Sequence, residues 1–463
     1  MTSHPPSQAS RRAFLKQGAA LGLAGAAAPW ALQLAAISEA AAATATDYKA
    51  LVCVFLYGGN DYANTLPPVD AASHAAYQSL RPTLALARDT LTATQLNPLT
   101  ALPDGRQYAL APQLASWLPH FNAGKLAVML NIGTLIQPTT KAQYTAKSVA
   151  LPPKLFSHND QQSFWQSSAA EGANTGWGGR MGDLLMSGNG QSTFTCVNVS
   201  GNAVFLTGQS AVQYQVTSNG SIALAALSKP LFGSSAASEA LRSLITASRT
   251  HVMEAEHTRI TSRALSANTA LTAALAGVPA LPVTFPTGNN LASQLQMVAK
   301  MIAGSGSLGA RRQVFFVSMG GFDTHDGLDD AHPALLTEVA DAVDAFYRCT
   351  VSLGIQDKVT TFTASDFGRT GTANADGSDH GWGSMHFVLG GAVQGGRFYG
   401  TPPVVADNGP DDVGQARLLP TLAVDQLAAA LGRWMGLSDS QLLEVLPDLK
   451  NWNASQRVPG VMG

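Results

Sequence analysis

The chain has 463 residues and a formal net charge of −2, and 46% of its residues are hydrophobic, which is enough for a large core. The near-neutral charge predicts no basic surface and excludes the charge pattern of a nucleic-acid-binding protein. Cys53, Cys196 and Cys349 are widely spaced. This spacing favours buried free thiols over a disulfide framework, although it leaves one bridge open.

Residues 1–45 predict a twin-arginine signal peptide. Two arginines at 11–12 precede Phe-Leu-Lys, an Ala/Gly-rich stretch spans 18–37, and small residues follow, so cleavage after Ala43 or Ala45 fits. An uncleaved anchor is the alternative, since about 20 apolar residues can span a bilayer. We predict export by the twin-arginine translocase to the periplasm or beyond, with no stable membrane span after cleavage.

Strands and helices are predicted to alternate along the rest of the chain. Six apolar runs lack the alternation of a half-exposed strand and predict strands buried on both faces. These runs are 50–57, 126–132, 194–199, 313–318, 358–363 and 386–389. Amphipathic helices are predicted at 331–353 and 424–435, with Ser438 capping a further short helix. The alternation predicts an α/β fold with a wound, largely parallel sheet flanked by helices.

Residues 46–463 are interpreted as a single domain with one insertion. The insertion, at roughly 189–286, is rich in Ser, Thr, Ala and Gly and contains a long helix predicted around 236–276. We expect this helical and polar segment to cover one face of the sheet.

Three aspartates follow predicted strands within a few residues: Asp61, Asp323 and Asp366. The carboxyl ends of parallel strands share one edge of a sheet, so these carboxylates are expected to converge. Converging carboxylates repel one another unless a cation or proton neutralises them. Taken alone, Asp61 fits a cap of the next helix equally well.

Histidines accompany these aspartates in two loops. Mixed Asp and His ligands suit a divalent metal (Zn, Mn, Mg or Ca) and predict metal-assisted transfer of a phosphoryl or sulfuryl group. His74 and His332 are predicted to lie at the surface. The predicted metal ligands are Asp61, Asp323, His325, Asp366 and His380.

Two further residues are candidates for binding an anion. Ser157 precedes a predicted helix, whose first N–H groups favour an anion, although capping is the commoner role of serine there. Arg369 offers a guanidinium to an oxyanion and could equally form a structural ion pair.

Further motifs lie along the mature chain beside the aspartates and histidines. The full set is Gly58-Gly59-Asn60-Asp61 with Asn64, 155–161, 176–180, 320–325, 365–370, 379–383 and Gly390-Gly391. Together these motifs resemble the bacterial family called domain of unknown function 1501, over nearly the whole mature chain. That family resembles the alkaline phosphatase and sulfatase superfamily, which implies an α/β fold with metal ligands at strand ends. By this resemblance Asp61 matches the metal-binding aspartate after the first strand, and Asp323 and His325 match the later Asp/His pair. Asp366 matches the aspartate of the Ser-Asp-His-Gly or Ser-Asp-Asn-Gly segment, and His380 matches the final histidine.

Two departures from that superfamily concern the chemistry. Phe367 stands where many phosphatases have a metal-binding histidine, so one-metal, sulfatase-like chemistry fits better. The sulfatase nucleophile segment Cys-x-Pro-x-Arg is missing, which leaves Ser157, Thr65 and Asn64 as candidate nucleophiles.

The sequence therefore predicts an exported metal-dependent hydrolase of phosphate or sulfate esters acting on an anionic substrate. The first alternative is a secreted binding or assembly protein that keeps the fold without catalysis. The second is a metal that only stabilises the loops.

Overall fold

A computed structural model describes residues 47–463, so the predicted signal peptide at 1–45 lies outside the described residues. The strands are β1 Lys49–Leu56, β2 Leu126–Gly133, β3 Cys196–Asn198, β4 Tyr214–Thr217, β5 Gly220–Ser221, β6 Arg312–Met319, β7 Val359–Ser365, β8 Ser384–Gly390, β9 Arg397–Tyr399 and β10 Leu422–Ala423. The helices are α1 Tyr62–Thr65, α2 Ala71–Leu80, α3 Leu118–Asn122, α4 Lys141–Ala146, α5 His158–Ser167, α6 Trp177–Leu185, α7 Ala225–Ser228, α8 Ser235–Thr246, α9 Val252–Ala276, α10 Asn290–Ala303, α11 Leu328–Ser352, α12 Val424–Met435 and α13 Asp439–Val445. Short 3-10 turns connect several of them.

The strands form one mixed sheet in the order β10-β2-β8-β7-β1-β6-β3-β4-β5, with β9 beside β2. The central strands β7, β1, β6 and β3 are parallel. In the described sheet, β8 runs against β2 and β7, and β5 runs against β4. The predicted largely parallel sheet is confirmed, and each of the six predicted strands is present.

The central strands are buried on both faces. Along β1, Ala50, Val52, Val54 and Leu56 pack into the core on one face, together with α10 and α11. The side chains between them pack into the core on the other face, beside α6, α12 and α13. The three cysteines are free and buried, as predicted.

Residues 189–286 contribute strands as well as helices. They contain β3 and β4, which extend the sheet beyond β6. The single long helix predicted around 236–276 is instead two helices, α8 and α9, separated by residues 247–251. Only the second half of α9 reaches the core, through Ala267, Leu271 and Ala274. Among residues 47–463, no helix has both the length and the apolar character needed to cross a membrane.

Asp425, in the first turn of α12, is a buried acid without a cationic hydrogen-bond partner. It accepts a hydrogen bond from Ser168 (2.6 Å), while its Oδ2 has no partner. Burial raises its pKa to about 7. The folded protein therefore keeps a proton that the unfolded chain releases above pH ~4, so this group makes the protein less stable as the pH rises from ~4 to ~7.

Replacing Asp425 by asparagine should remove this pH dependence. We expect Asp425→Asn to gain stability relative to the wild type between pH 5 and 8, approaching about 4 kcal/mol at most. Urea unfolding at pH 5 and at pH 8 measures the difference in the free energy of unfolding between the variant and the wild type. The exposed Asp341→Asn is the matched control, and an equal difference for both variants would contradict the assignment.

Candidate metal centre

The turn after β1 packs directly against the loop after β6. Gly58 has a φ of 118°, and a side chain on it would collide with the backbone of Asp323, so only glycine fits there. The Gly58 N–H also donates to Asp366 Oδ1 (3.2 Å), just after β7. The carboxyl ends of β1, β6 and β7 therefore meet at one edge of the sheet, as the strand topology predicts.

Asp323 lies at the centre of a cluster of side chains at this edge, which also contains His158, His325, His380 and Arg369. One of its oxygens, Oδ1, lies 2.7 Å from Arg369, 3.1 Å from His380 Nε2 and 3.2 Å from His325 Nε2. Its Oδ2 lies 3.4 Å from His158 Nε2. Burial favours protonation of Asp323, but the hydrogen bond and charge of Arg369 outweigh it and lower its pKa. The carboxylate is therefore ionised in the physiological range.

Each of the three histidines in the cluster is fixed at Nδ1 by an oxygen behind it. His158 Nδ1 lies 2.6 Å from Asp366 Oδ2, and His380 Nδ1 lies 2.7 Å from the Phe156 carbonyl. His325 Nδ1 lies 3.2 Å from Asp379 Oδ1. Carboxylate and carbonyl oxygens accept hydrogen bonds, so each Nδ1 carries the proton. In the neutral rings, each Nε2 then keeps a free lone pair.

Ligand atoms of these side chains lie close together around Asp323. The ligand atoms of His158, Asp323 and His380 all lie within 4.8 Å of each other. His325 Nε2 lies 2.8 Å from His380 Nε2. The Nε2 of His158 is buried and has no hydrogen-bond partner, and a buried polar atom without a partner costs free energy. Ring nitrogens close to one another beside a carboxylate form a candidate site for a cation.

The electrostatics of the histidines agree with such a site. Burial lowers the pKa of His380, which favours its neutral, metal-binding form. The hydrogen bond to Asp366 raises the pKa of His158, although burial opposes it. The negative charge of Asp366 and Asp323 therefore favours a positive charge at His158 Nε2, and a proton or a metal ion can supply it.

Asp366 stands behind the cluster. Its Oδ1 accepts from Gly58 N–H, and its Oδ2 accepts from His158 and from Gln162 Nε2 (2.7 Å). The side chain is fully buried. Both oxygens are thus occupied by protein donors, and Asp366 orients His158, whereas we predicted it as a ligand itself.

Asp61 is also placed differently from the prediction. Its two oxygens accept from Arg81 at 2.6 and 2.7 Å, and both side chains are completely buried. Asp61 also caps α1 through the N–H of Asn64. The alternative role as a helix cap therefore describes Asp61 better, because Arg81 binds both of its oxygens in a fully buried site.

The candidate nucleophiles and Arg369 are engaged by the protein itself. Asn64 binds the Leu84 carbonyl and Tyr77, and Thr65 donates to the Asp61 carbonyl. Both are buried, whereas Ser157 is half-buried and donates to Asp160. Arg369 is fully buried and binds Asp323, Gly58 and Ser378. It therefore acts as a structural ion-pair partner of Asp323, the second of the two roles considered for it.

The candidate ligand that the sequence analysis did not identify is His158. Its signal was its position directly after Ser157 at a predicted helix start, where the sequence indicated an anion site or a helix cap. Two predictions of surface histidines are wrong, since His74 and His332 are both buried. His332 packs against Asn60 (3.1 Å), and burial lowers its pKa to about 4.

Fold and site together define an α/β protein with a candidate metal centre at the carboxyl edge of its sheet. Residues 48–446 match the family described as "Protein of unknown function (DUF1501)". The chain belongs to this family. A comparison with curated proteins found no match.

Several solved structures are similar to this chain at low identity. A Bacteroides thetaiotaomicron protein from a locus for metabolism of multiple glycosaminoglycans is 11% identical, covering 86% of this chain and 74% of that one, with a TM-score of 0.34. Ps i-CgsB in complex with k-i-k-neocarrahexaose is 8% identical, covering 88% and 77%, with a TM-score of 0.35. Lipoteichoic acid synthase LtaP from Listeria monocytogenes is 9% identical, covering 87% and 78%, with a TM-score of 0.28. At such values the chemistry has to be argued from the site residues.

Proposed function

We propose that this protein is an exported metal-dependent hydrolase of sulfate or phosphate esters. One divalent metal ion is held by His158, Asp323, His325 and His380. The observation that carries the proposal is the buried Nε2 of His158, which has no hydrogen-bond partner and faces Asp323. The arginine pair at 11–12 supports export by the twin-arginine translocase to the periplasm or beyond.

The donor set favours a transition metal. Three imidazole nitrogens with one carboxylate suit zinc and related ions, whereas calcium and magnesium prefer oxygen ligands. Such an ion, when bound, acts as a Lewis acid toward an ester oxygen and lowers the pKa of bound water.

The protein's own residues prepare this site in three ways. Asp366, Asp379 and the Phe156 carbonyl each fix one histidine ring by its Nδ1, as outer partners of metal-binding histidines do. Arg369 holds the Asp323 carboxylate ionised. Phe367 packs against the rings of His158 and His380, with ring centres 4.9 and 4.8 Å away, and keeps water from that side.

Metal content tests the donor set. We expect about one zinc or manganese ion per exported chain, and we expect calcium and magnesium to bind at least about 10-fold more weakly, because their oxygen preference is not met. Elemental mass spectrometry after export and calorimetric titration of the metal-free protein measure this. Tight binding of calcium alone would contradict the imidazole donor set.

Hydrolysis is tested with aryl sulfates and aryl phosphates on the loaded protein. Turnover that disappears with a chelator and returns with zinc or manganese supports the hydrolase. A second candidate is a secreted binding protein with a structural metal, because Asn64 and Thr65 are buried and engaged by the protein. Full metal occupancy without turnover of either ester would favour this candidate.

A further inference from the structure

His380 is held on two sides by groups from distant parts of the chain. Its Nδ1 donates to the Phe156 carbonyl (2.7 Å), and its own carbonyl accepts from Arg417 Nε (2.6 Å). The guanidinium carbon of Arg417 lies 4.9 Å from the centre of the Phe156 ring. Phe156, His380 and Arg417 thus form a closed set of contacts, which we call the His380 clamp.

Two segments that form the clamp, around Phe156 and around Arg417, each contain a residue other than glycine in the left-handed backbone conformation. Phe156 has a φ of 72°, an unfavourable value for a bulky side chain. Ala416, directly before Arg417, has a φ of 51°. Such conformations are unfavourable and persist only where the surroundings impose them. Phe156, the residue with this strained backbone, supplies the carbonyl that accepts the hydrogen bond from His380 Nδ1.

The clamp determines which ring nitrogen of His380 faces the cluster. Because the Phe156 carbonyl only accepts hydrogen bonds, Nδ1 keeps the proton, and Nε2 points to Asp323 (3.1 Å) and His325 (2.8 Å). We propose that Phe156 and Arg417 are positioning residues that fix the tautomer and orientation of His380. Their effect on metal binding rests on the metal centre proposed above, whereas their effect on the tautomer does not.

The test replaces Arg417 by methionine, which keeps an unbranched apolar stem and removes Nε and the charge. Arg417→Lys keeps the charge without the planar fork and should behave similarly. Arg397→Met is the matched control, because Arg397 is exposed and its guanidinium binds Thr100. Zinc affinity is measured by competition with a chelating dye. Nitrogen-15 spectra of the histidine rings in the metal-free protein report the tautomer, with His380→Gln assigning the signal.

We expect Arg417→Met to bind zinc about 10- to 100-fold more weakly, the range for losing an outer partner of a metal ligand. In the metal-free protein, the His380 signal should change from one Nδ1–H tautomer to a mixture, while the melting temperature stays equal to that of the control.

Two results would overturn the clamp: an unchanged tautomer, or a lower melting temperature with unchanged zinc affinity and tautomer. If the wild type binds no zinc, the proposed function fails. The tautomer of His380 in the metal-free protein still tests whether the clamp fixes that ring.

Discussion

His158→Ala should abolish the metal binding proposed above. The variant loses a buried Nε2 that has no hydrogen-bond partner and faces Asp323, and losing a ligand should cost more than the 10- to 100-fold caused by losing an outer partner. We therefore expect zinc affinity to fall by more than about 100-fold, and any ester hydrolysis to fall with it. Metal content after purification and titration of the metal-free protein measure the change.

The matched control is His257→Ala, since His257 is an exposed histidine in α9. It should keep its metal and its affinity. Asp323→Ala removes the central carboxylate and should lose the metal as His158→Ala does. A wild-type metal content in His158→Ala would show that His158 is not a ligand, even if the protein binds metal elsewhere.

Arg81→Met should destabilise the whole fold. Arg81 binds both oxygens of Asp61 and the carbonyls of Thr370 and Gly371 in a fully buried site. Burial alone would raise the pKa of Asp61, but the Arg81 charge and hydrogen bonds outweigh it and hold that pKa below its usual value. Without Arg81 the carboxylate is a buried charge with no cationic partner, which costs about 3–5 kcal/mol. Urea unfolding of the metal-free protein measures the loss.

A double variant separates the buried charge from other effects of the substitution. Asp61→Asn with Arg81→Met removes both charges and should recover part of the loss, because replacing a whole buried pair costs far less than breaking it. The control is Arg259→Met, which breaks the exposed pair with Glu256 and should leave the unfolding midpoint close to the wild-type value. A single variant as stable as the wild type would contradict the importance of this pair.

Much of the fold could be predicted because a strand or a helix follows from the pattern of hydrophobic residues that are neighbours in the sequence. The six strands and α12 follow from the order of apolar residues. The cap of α13 follows from the side-chain oxygen of Ser438. The direction of β8 could not be predicted, since a strand buried on both faces has the same composition whichever way it runs. The break between α8 and α9 was missed because both segments favour helix.

The candidate site was predicted in part. Asp323, His325 and His380 come together because parallel strands place their carboxyl ends at one edge, which is a consequence of topology. Asp61 and Asp366 follow their strands in the same way. Their roles depend on Arg81 and His158, which come from elsewhere in the chain, and no local pattern indicates these partners.

The sequence by itself determined the strands, the alternation of strand and helix, and the edge at which acidic and histidine side chains gather. These depend on side-chain polarity and spacing along the chain. Only the tertiary structure decided which of the three carboxylates lies beside the histidines. Asp61 is neutralised by Arg81, Asp366 orients His158, and Asp323 faces three histidines. Charge and hydrogen bonding act over a few ångströms in space, between residues that can be hundreds of positions apart.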